Sequence, residues 1–285
     1  MSKTPSRDQA GFGMLASYVP EIIKKVIKPF FFFFLDVKHY SLKGFNSMYQ
    51  PPSKSFMGSG NYEAIGNEFF NYFKQIGGLL PEHKVLDIGC GSGRLSIPLT
   101  DYLKAGSYDG FDVIKTEINW AQNNISNKFS NFKFTHVDVT NNIYNEGNQT
   151  ADSFKFPYDD NTFDFIYLNS VFTHMRTDDV KNYLSEISRV LKSGGKCLIT
   201  YFLLNDISKE LINNDKSIIK FKYFIDDFMT NDNENPEEAI AFQEDFILSL
   251  YDLNNLEVQS PLNYGSWCSR PEYLSFQDII VATKR

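Results

Sequence analysis

The sequence predicts an α/β fold, with a mainly parallel sheet covered by helices on both faces. Three observations predict it. Strand-like and helix-like apolar patterns alternate from residue 84 to residue 202, as successive strand–helix–strand units require. The first strand runs directly into a glycine-rich turn, Gly89-Cys90-Gly91-Ser92-Gly93. The chain has 285 residues, 42% of them hydrophobic and 22% charged, which is enough for one large core with attachments.

The elements follow in order. An N-terminal arm occupies residues 1–58 and a main domain residues 59–285. Within the arm, Ile22, Ile23, Val26 and Ile27 recur at helical spacing with Lys24, Lys25 and Lys28 between them, and Phe30 to Phe34 form an unbroken aromatic run. A bilayer span needs ~20 apolar residues, so this run is too short to cross. A basic amphipathic stretch beside aromatics suits either packing against the domain or peripheral contact with a membrane surface. Pro51 and Pro52 end the arm.

Residues 62–76 read as a helix with Ile65, Phe69, Tyr72, Phe73 and Ile76 on one face, closed by Gly77, Gly78 and Pro81. Strands are expected at 84–88, 107–113, 132–137, 161–168 and 196–202. Helices are expected at 95–103, 116–125 and 178–191. The alternation then lapses into a polar, Asn/Asp-rich segment at about 205–235, read as an inserted lid. A helix is expected over 236–254, with Pro236 at its start and Glu237 and Glu238 in its first turn. Strands at 256–260 and 276–283 are expected to pair antiparallel at a sheet edge, and Trp267, in the segment joining them, is read as packing against that edge, with lining of the acceptor pocket as the alternative.

Net charge is -7, which argues against a nucleic-acid partner, because such surfaces need a basic footprint. Cys90, Cys197 and Cys268 are widely spaced, with no zinc or disulfide framework. That suits a reducing compartment, and with no signal-peptide pattern at the start the expected location is the cytoplasm.

The glycine turn carries the functional reading. Glycines permit positive φ and close approach of backbone to ligand, and ligands of open α/β sheets sit at strand carboxyl ends. Asp112 ends the second strand about twenty residues on, where a carboxylate accepts bonds from ribose hydroxyls. The dinucleotide fingerprint G-x-G-x-x-G fails in both registers, since its last position falls on Arg94 or Ser96. No Gly-Lys-Ser/Thr follows, so a P-loop is disfavoured as well. Asp87, two residues before the first glycine, suits a cationic ligand better than a diphosphate.

The stretch VLDIGCGSGRL resembles the first motif of class I S-adenosylmethionine-dependent methyltransferases. YDGFDV, FTHVDV, FPYDDNTFDFIYLNSVFTHM and YLSEISRVLKSGGKCLITYF resemble that family's later motifs, in order, across about residues 60–285. The resemblance implies a Rossmann-like seven-stranded sheet with an antiparallel C-terminal hairpin. It implies S-adenosylmethionine as cofactor and S-adenosylhomocysteine as product. It places Asp87, Gly89, Cys90, Gly91, Gly93 and Arg94 at the cofactor, Asp112 and Val113 at the ribose, Asp138 and Val139 beside the adenine, and Asn169 and Ser170 close by. Ser59 to Tyr62 match a segment that closes over the cofactor in similar enzymes.

Methyl transfer from a sulfonium is in-line displacement, so alignment carries much of the catalysis. An oxygen acceptor also needs a base, and His174, just past the fourth strand, is the best placed titratable group. Arg176 is a second residue suited to orient an acidic acceptor. LNSV lacks the D/N-P-P-Y pattern of amino-methylating nucleic-acid enzymes, and no Pro-Cys pair marks a cytosine nucleophile. No metal is expected. The favoured acceptor is a small molecule, a sugar-containing metabolite or a lipid-linked group, methylated at oxygen. A protein or RNA methyltransferase and a non-catalytic cofactor-binding protein are the competing classes.

Overall fold

The computed structural model describes residues 61–140 and 147–285. The N-terminal arm, with its basic amphipathic stretch and phenylalanine run, lies outside the described residues, as do Ser59 and Gly60. Helix α1 (Tyr62–Gln75) is started by Asn61, whose side chain accepts the Ala64 N–H at 2.9 Å. It buries Tyr62, Phe69 and Phe73, and the Phe73 ring stacks on Tyr167 with centroids 4.3 Å apart.

Strands β1 (Lys84–Ile88), β2 (Ser107–Asp112), β3 (Phe132–His136), β4 (Phe163–Leu168) and β5 (Leu191–Tyr201) are parallel. Strand β11 (Asp278–Lys284) runs antiparallel to β5, and β10 (Leu256–Val258) antiparallel to β11. The sheet order is β10-β11-β5-β4-β1-β2-β3, the expected seven-stranded sheet with its antiparallel hairpin. The chain leaves β1 toward β2 and β3, then returns to β4 on the other side. Strand order therefore reverses between β1 and β4, which opens a crevice at their carboxyl ends.

Both sheet faces are buried, so β1 reads as an apolar strand apart from the exposed Lys84 at its start and Asp87. One face packs Leu86, Ile88, Phe111 and Phe156 against Tyr183 and Ile187 of α4 (Thr177–Val190). The other packs Val85, Tyr108 and Tyr167 against Phe73 of α1 and Ile118 of α3 (Lys115–Ala121). Helix α3 continues as a π-helical turn, Gln122–Ser126.

Two expected helices are revised. The 95–103 helix survives only as α2 (Leu99–Tyr102). Before it, Ser96 N and Ser96 Oγ both bond the Gly93 carbonyl, and Pro98 has no N–H to begin an α-helical ladder. Gly66 of α1 also packs against the Arg94 carbonyl, where a Cβ would lie 2.8 Å away.

The 236–254 helix is three elements: a 3-10 turn (Pro236–Glu238), strand β9 (Ile240–Gln243) and helix α6 (Glu244–Leu253). Strand β9 is drawn into a second sheet, ordered β6-β9-β8-β7, with β6 (Leu203–Leu204), β7 (Tyr223–Ile225) and β8 (Phe228–Thr230). Helix α5 (Asp206–Asn213) follows β6. The segment expected as a lid, about 205–235, contributes α5, β7 and β8 to this region, whose core includes Phe202, Leu204, Phe221, Ala241 and Trp267. Trp267 is fully buried, as expected, and its indole N–H donates to Asp278 at 2.7 Å.

Candidate active site

The glycine turn sits at the carboxyl end of β1, held to β2 by the Gly89 and Cys90 N–H groups, which donate to the Phe111 carbonyl at 2.9 and 3.1 Å. Gly89, Gly91 and Gly93 have φ of 77°, 51° and 81°, where a side chain is strained. Space is short too. A Cβ at Gly89 would lie 2.4 Å from Val171 Cγ2, and one at Gly91 would lie 2.6 Å from Glu117 Oε2.

Asp112 is the hub of this edge. One carboxylate oxygen accepts the Gly91 N–H at 2.7 Å and the other the Ile114 N–H at 2.8 Å. Burial pushes its pKa up, against the pull of those N–H groups and of His136. The Val113 N–H also faces this carboxylate, and with about four acceptor positions it keeps capacity for a ligand beyond these bonds. Val113, beside it, is half-buried, and its carbonyl contacts His136 Nε2 at 3.2 Å.

Asp87 is buried under the turn and accepts the Tyr108 hydroxyl at 2.8 Å. Tyr167 Oη faces the same carboxylate without a hydrogen bond of ordinary geometry. Burial dominates, and holds the Asp87 carboxyl at about 7. Its nearest polar partner is therefore a tyrosine hydroxyl, which the sequence reading did not anticipate. Cys90 is buried, and burial raises its thiol well above the usual range. Arg94 is half-buried, its charge supported by Tyr62, Glu117 and Asp87 against desolvation.

The other residues stand along the same edge. Asp138, just past β3, is exposed and hydrogen-bonded by the Asn148 amide, and Val139 is buried and bridges to Gln149. Past β4, Asn169 is half-buried. Ser170 has φ 59°; its N–H donates to Thr200 Oγ1 at 2.8 Å and its hydroxyl to Gln277 Oε1 at 3.0 Å. His174 ends a 3-10 turn, Phe172–His174, with Nδ1 2.8 Å from the Glu237 carbonyl. That oxygen only accepts, which favours a proton on Nδ1, and the Glu238 backbone also faces the ring. Burial lowers the His174 pKa. Arg176 is not placed as a lone cation: its Nε donates to Glu237 at 3.1 Å.

Several residues here carried no signal in the sequence. Glu117, in the first turn of α3, looks like routine helix-dipole placement, yet it is buried over Gly91. Tyr62, by contrast, belongs to the segment expected to close over the cofactor, and it reaches Ser92 through a 3.2 Å contact between hydroxyls that ties the start of α1 to the glycine turn. Thr200 and Gln277 meet Ser170 only through sheet register.

This donor set fits S-adenosylmethionine. Acceptor-only carboxylates at the ends of β2 and β3 suit hydroxyl and amino donors, and backbone without side chains lies at the end of β1. No cluster of cations suited to a diphosphate lies on that edge among the described residues.

Comparisons with known proteins agree. Residues 86–199 match the family model described as a methyltransferase domain. An uncharacterized methyltransferase, YcgJ of Bacillus subtilis, is 26% identical over 194 residues, covering 66% of this chain and 65% of that one. Phosphoethanolamine N-methyltransferase 3 of Arabidopsis thaliana is 32% identical over 168 residues, covering 59% of this chain and 30% of that one. The chain thus spans less than two thirds of the length of either curated relative. Among solved structures, the PH0226 protein of Pyrococcus horikoshii shares the fold at a TM-score of 0.51 and 19% identity, covering 87% of this chain and 99% of that one. Motif order, sheet order and family match converge: residues 86–199 carry a methyltransferase domain, and the fold is the Rossmann-like one of class I S-adenosylmethionine-dependent methyltransferases.

Proposed function

We propose that this protein transfers a methyl group from S-adenosylmethionine to an oxygen of a small, sugar-containing or lipid-like acceptor, with His174 as general base. The observation that carries the reading is the anchoring of His174 through Nδ1 to the Glu237 carbonyl. An oxygen that only accepts supports a tautomer protonated on Nδ1, with Nε2 as the basic nitrogen, on the turn that follows the carboxyl end of β4. The lowered pKa keeps the ring neutral at pH 7, as a base must be before it takes a hydroxyl proton.

The cofactor supplies a methyl already activated on a sulfonium. The chain aligns it: Asp112 and Asp138 offer acceptors to the nucleoside, and the glycine turn keeps side chains out of its way. The net charge of -7 supports a small acceptor over a nucleic acid. Peripheral membrane contact through the N-terminal arm is part of the same proposal, because a lipid-linked acceptor would be met at a surface.

Calorimetric titration with S-adenosylhomocysteine tests the cofactor half, with Asp112→Ala expected to weaken binding at least about tenfold, as loss of hydrogen bonds to a charged group implies. His174→Ala tests the chemistry. Turnover should fall by about 10²–10⁴-fold, the usual contribution of a general base, with cofactor affinity unchanged. Equal loss of both, or no loss, removes His174 from the base role.

A further inference from the structure

Arg270 lies in the segment joining β10 to β11. Its side chain is turned inward, leaving the residue 8% exposed. Among the described residues its guanidinium has no carboxylate ion pair. Nη2 donates to Asn205 Oδ1 at 3.1 Å, Nε is buried without a hydrogen bond of ordinary geometry, and the Cys268 thiol lies beside the side chain. Even the Asn205 oxygen is shared, because it also accepts the Ser208 N–H at 3.1 Å as the N-cap of α5.

The neighbouring carboxylates are engaged elsewhere. The two oxygens of Glu244 accept the Asn205 amide at 2.8 Å and the Tyr264 hydroxyl at 3.2 Å. Asp278 accepts three N–H groups, from Leu203, Gly265 and Trp267, each at 2.7 Å. Arg270 acts on it only through space.

A buried cation without a hydrogen-bonded carboxylate partner is a costly group for a fold to retain. Replacing it with an apolar side chain would remove that cost, so a fold that keeps it has a use for its charge. The surroundings are organised for recognition. The guanidinium carbon lies over the Tyr264 ring, 4.1 Å from the centroid, and Glu244 holds both Tyr264 and Asn205. A planar fork held this way matches the oxygens of a carboxylate or phosphate.

Its place in the fold assigns it to the acceptor side. Asn205 follows β6 at the carboxyl end of β5, and Asp278 opens β11 opposite Tyr201. Gln277, next to Asp278, bonds Ser170 at the end of β4. Asp112 and Asp138 lie across β1, on the other half of the sheet.

We propose that Arg270, stacked on Tyr264 and steadied by Asn205, anchors a negatively charged oxygen group of the acceptor, a phosphate or a carboxylate. The word acceptor rests on the methyltransferase reading; the anion site itself does not.

The test is thermal unfolding of the full chain in inorganic phosphate and in malonate, against sodium chloride of equal ionic strength. The wild-type protein should gain several degrees in Tm from one or both anions over chloride, and the stronger of the two identifies the group. Arg270→Met should melt no lower than wild type in chloride and lose the anion-dependent gain. Should Arg270→Met fail to fold, Arg270→Lys decides the matter: a gain cut at least several-fold supports the site, and an unchanged gain overturns it. Absence of any gain in the wild type, or its survival in Arg270→Met, also overturns it. S-adenosylhomocysteine titration of the same samples separates the two readings. Intact cofactor binding without an anion effect sinks only this inference; an intact anion effect without cofactor binding sinks only the methyltransferase assignment.

Discussion

Asp112 and Asp278 stand on the same edge of the seven-stranded sheet, on opposite sides of the β1–β4 crevice, and both are buried carboxylates held by N–H groups. Asp112 takes two backbone donors and keeps 8% of its surface open at the end of β2. Asp278 takes three donors and is 1% exposed. Burial raises both, Asp278 to about 6. The same chemical group thus serves two ends. Where acceptor positions and an opening remain, a carboxylate can receive a ligand. Where donors consume it and the edge is sealed, it fastens one layer to another. Asp278 ties β11 to β6 and to the loop carrying Trp267, and so docks the second sheet.

The largest effect that would sharpen this contrast is on stability. Asp278→Ala leaves three buried N–H groups without an acceptor, each costing about 1–3 kcal/mol. A loss of at least about 3 kcal/mol is expected in urea unfolding, with cofactor affinity nearly unchanged in whatever fraction folds. A loss below about 1 kcal/mol would break the comparison.

The next effect is on pH dependence. The folded pKa of Asp278, about 6, lies above the ordinary value of 3.8, so the folded state favours the protonated form. Its contribution is greatest below pH 4 and is lost as pH rises through 6. Two units correspond to about 3 kcal/mol. The stability of wild type relative to Asp278→Asn should therefore fall by up to about that amount between pH 4 and pH 7. A flat difference would show that Asp278 is not desolvated.

The smallest effect distinguishes the partner carboxylate. Asp112→Ala frees only two N–H groups beside an open edge, so its cost in urea unfolding should be about 1–2 kcal/mol, well below that of Asp278→Ala. Its loss in S-adenosylhomocysteine affinity should be the greater one. A reversed order in either measurement would exchange the roles of the two residues.

The same contrast explains what was legible in the sequence. The first half of the site is written locally. A strand, its glycines and Asp112 fall within 28 residues, from Val85 to Asp112, and positive φ at three positions demands glycine wherever the chain occurs. The parallel strands were legible because each is a short apolar run bounded by turns. The second half is built from distant partners: Leu203 with Asp278, Asn205 with Arg270, His174 with Glu237. Strand β9 was misread as helix because Pro236, Glu237 and Glu238 form a convincing helix start. Only pairing with β8 and β6 makes Ile240–Gln243 a strand. Helix 95–103 was overextended because its periodicity is real, while the tight packing of Gly66 on the Arg94 carbonyl is a tertiary fact. Glu117 shows a subtler limit, since a buried glutamate and a capping glutamate are the same letter in the same place.

The position of β11 has a consequence for how the molecule is made. Residues 278–284 slot between β5 and β10, and β10 pairs with no strand of the large sheet but β11. During synthesis, β1 to β5 can assemble while later residues are still inside the ribosome, but the flank of β5 stays bare until residue 284 has emerged. An unpaired central strand invites pairing with other chains. Ser170 also lacks its Gln277 partner throughout that interval. The flank of the crevice beyond β5 therefore forms after the β1–β4 half, and until β11 is in place β5 presents an unpaired edge.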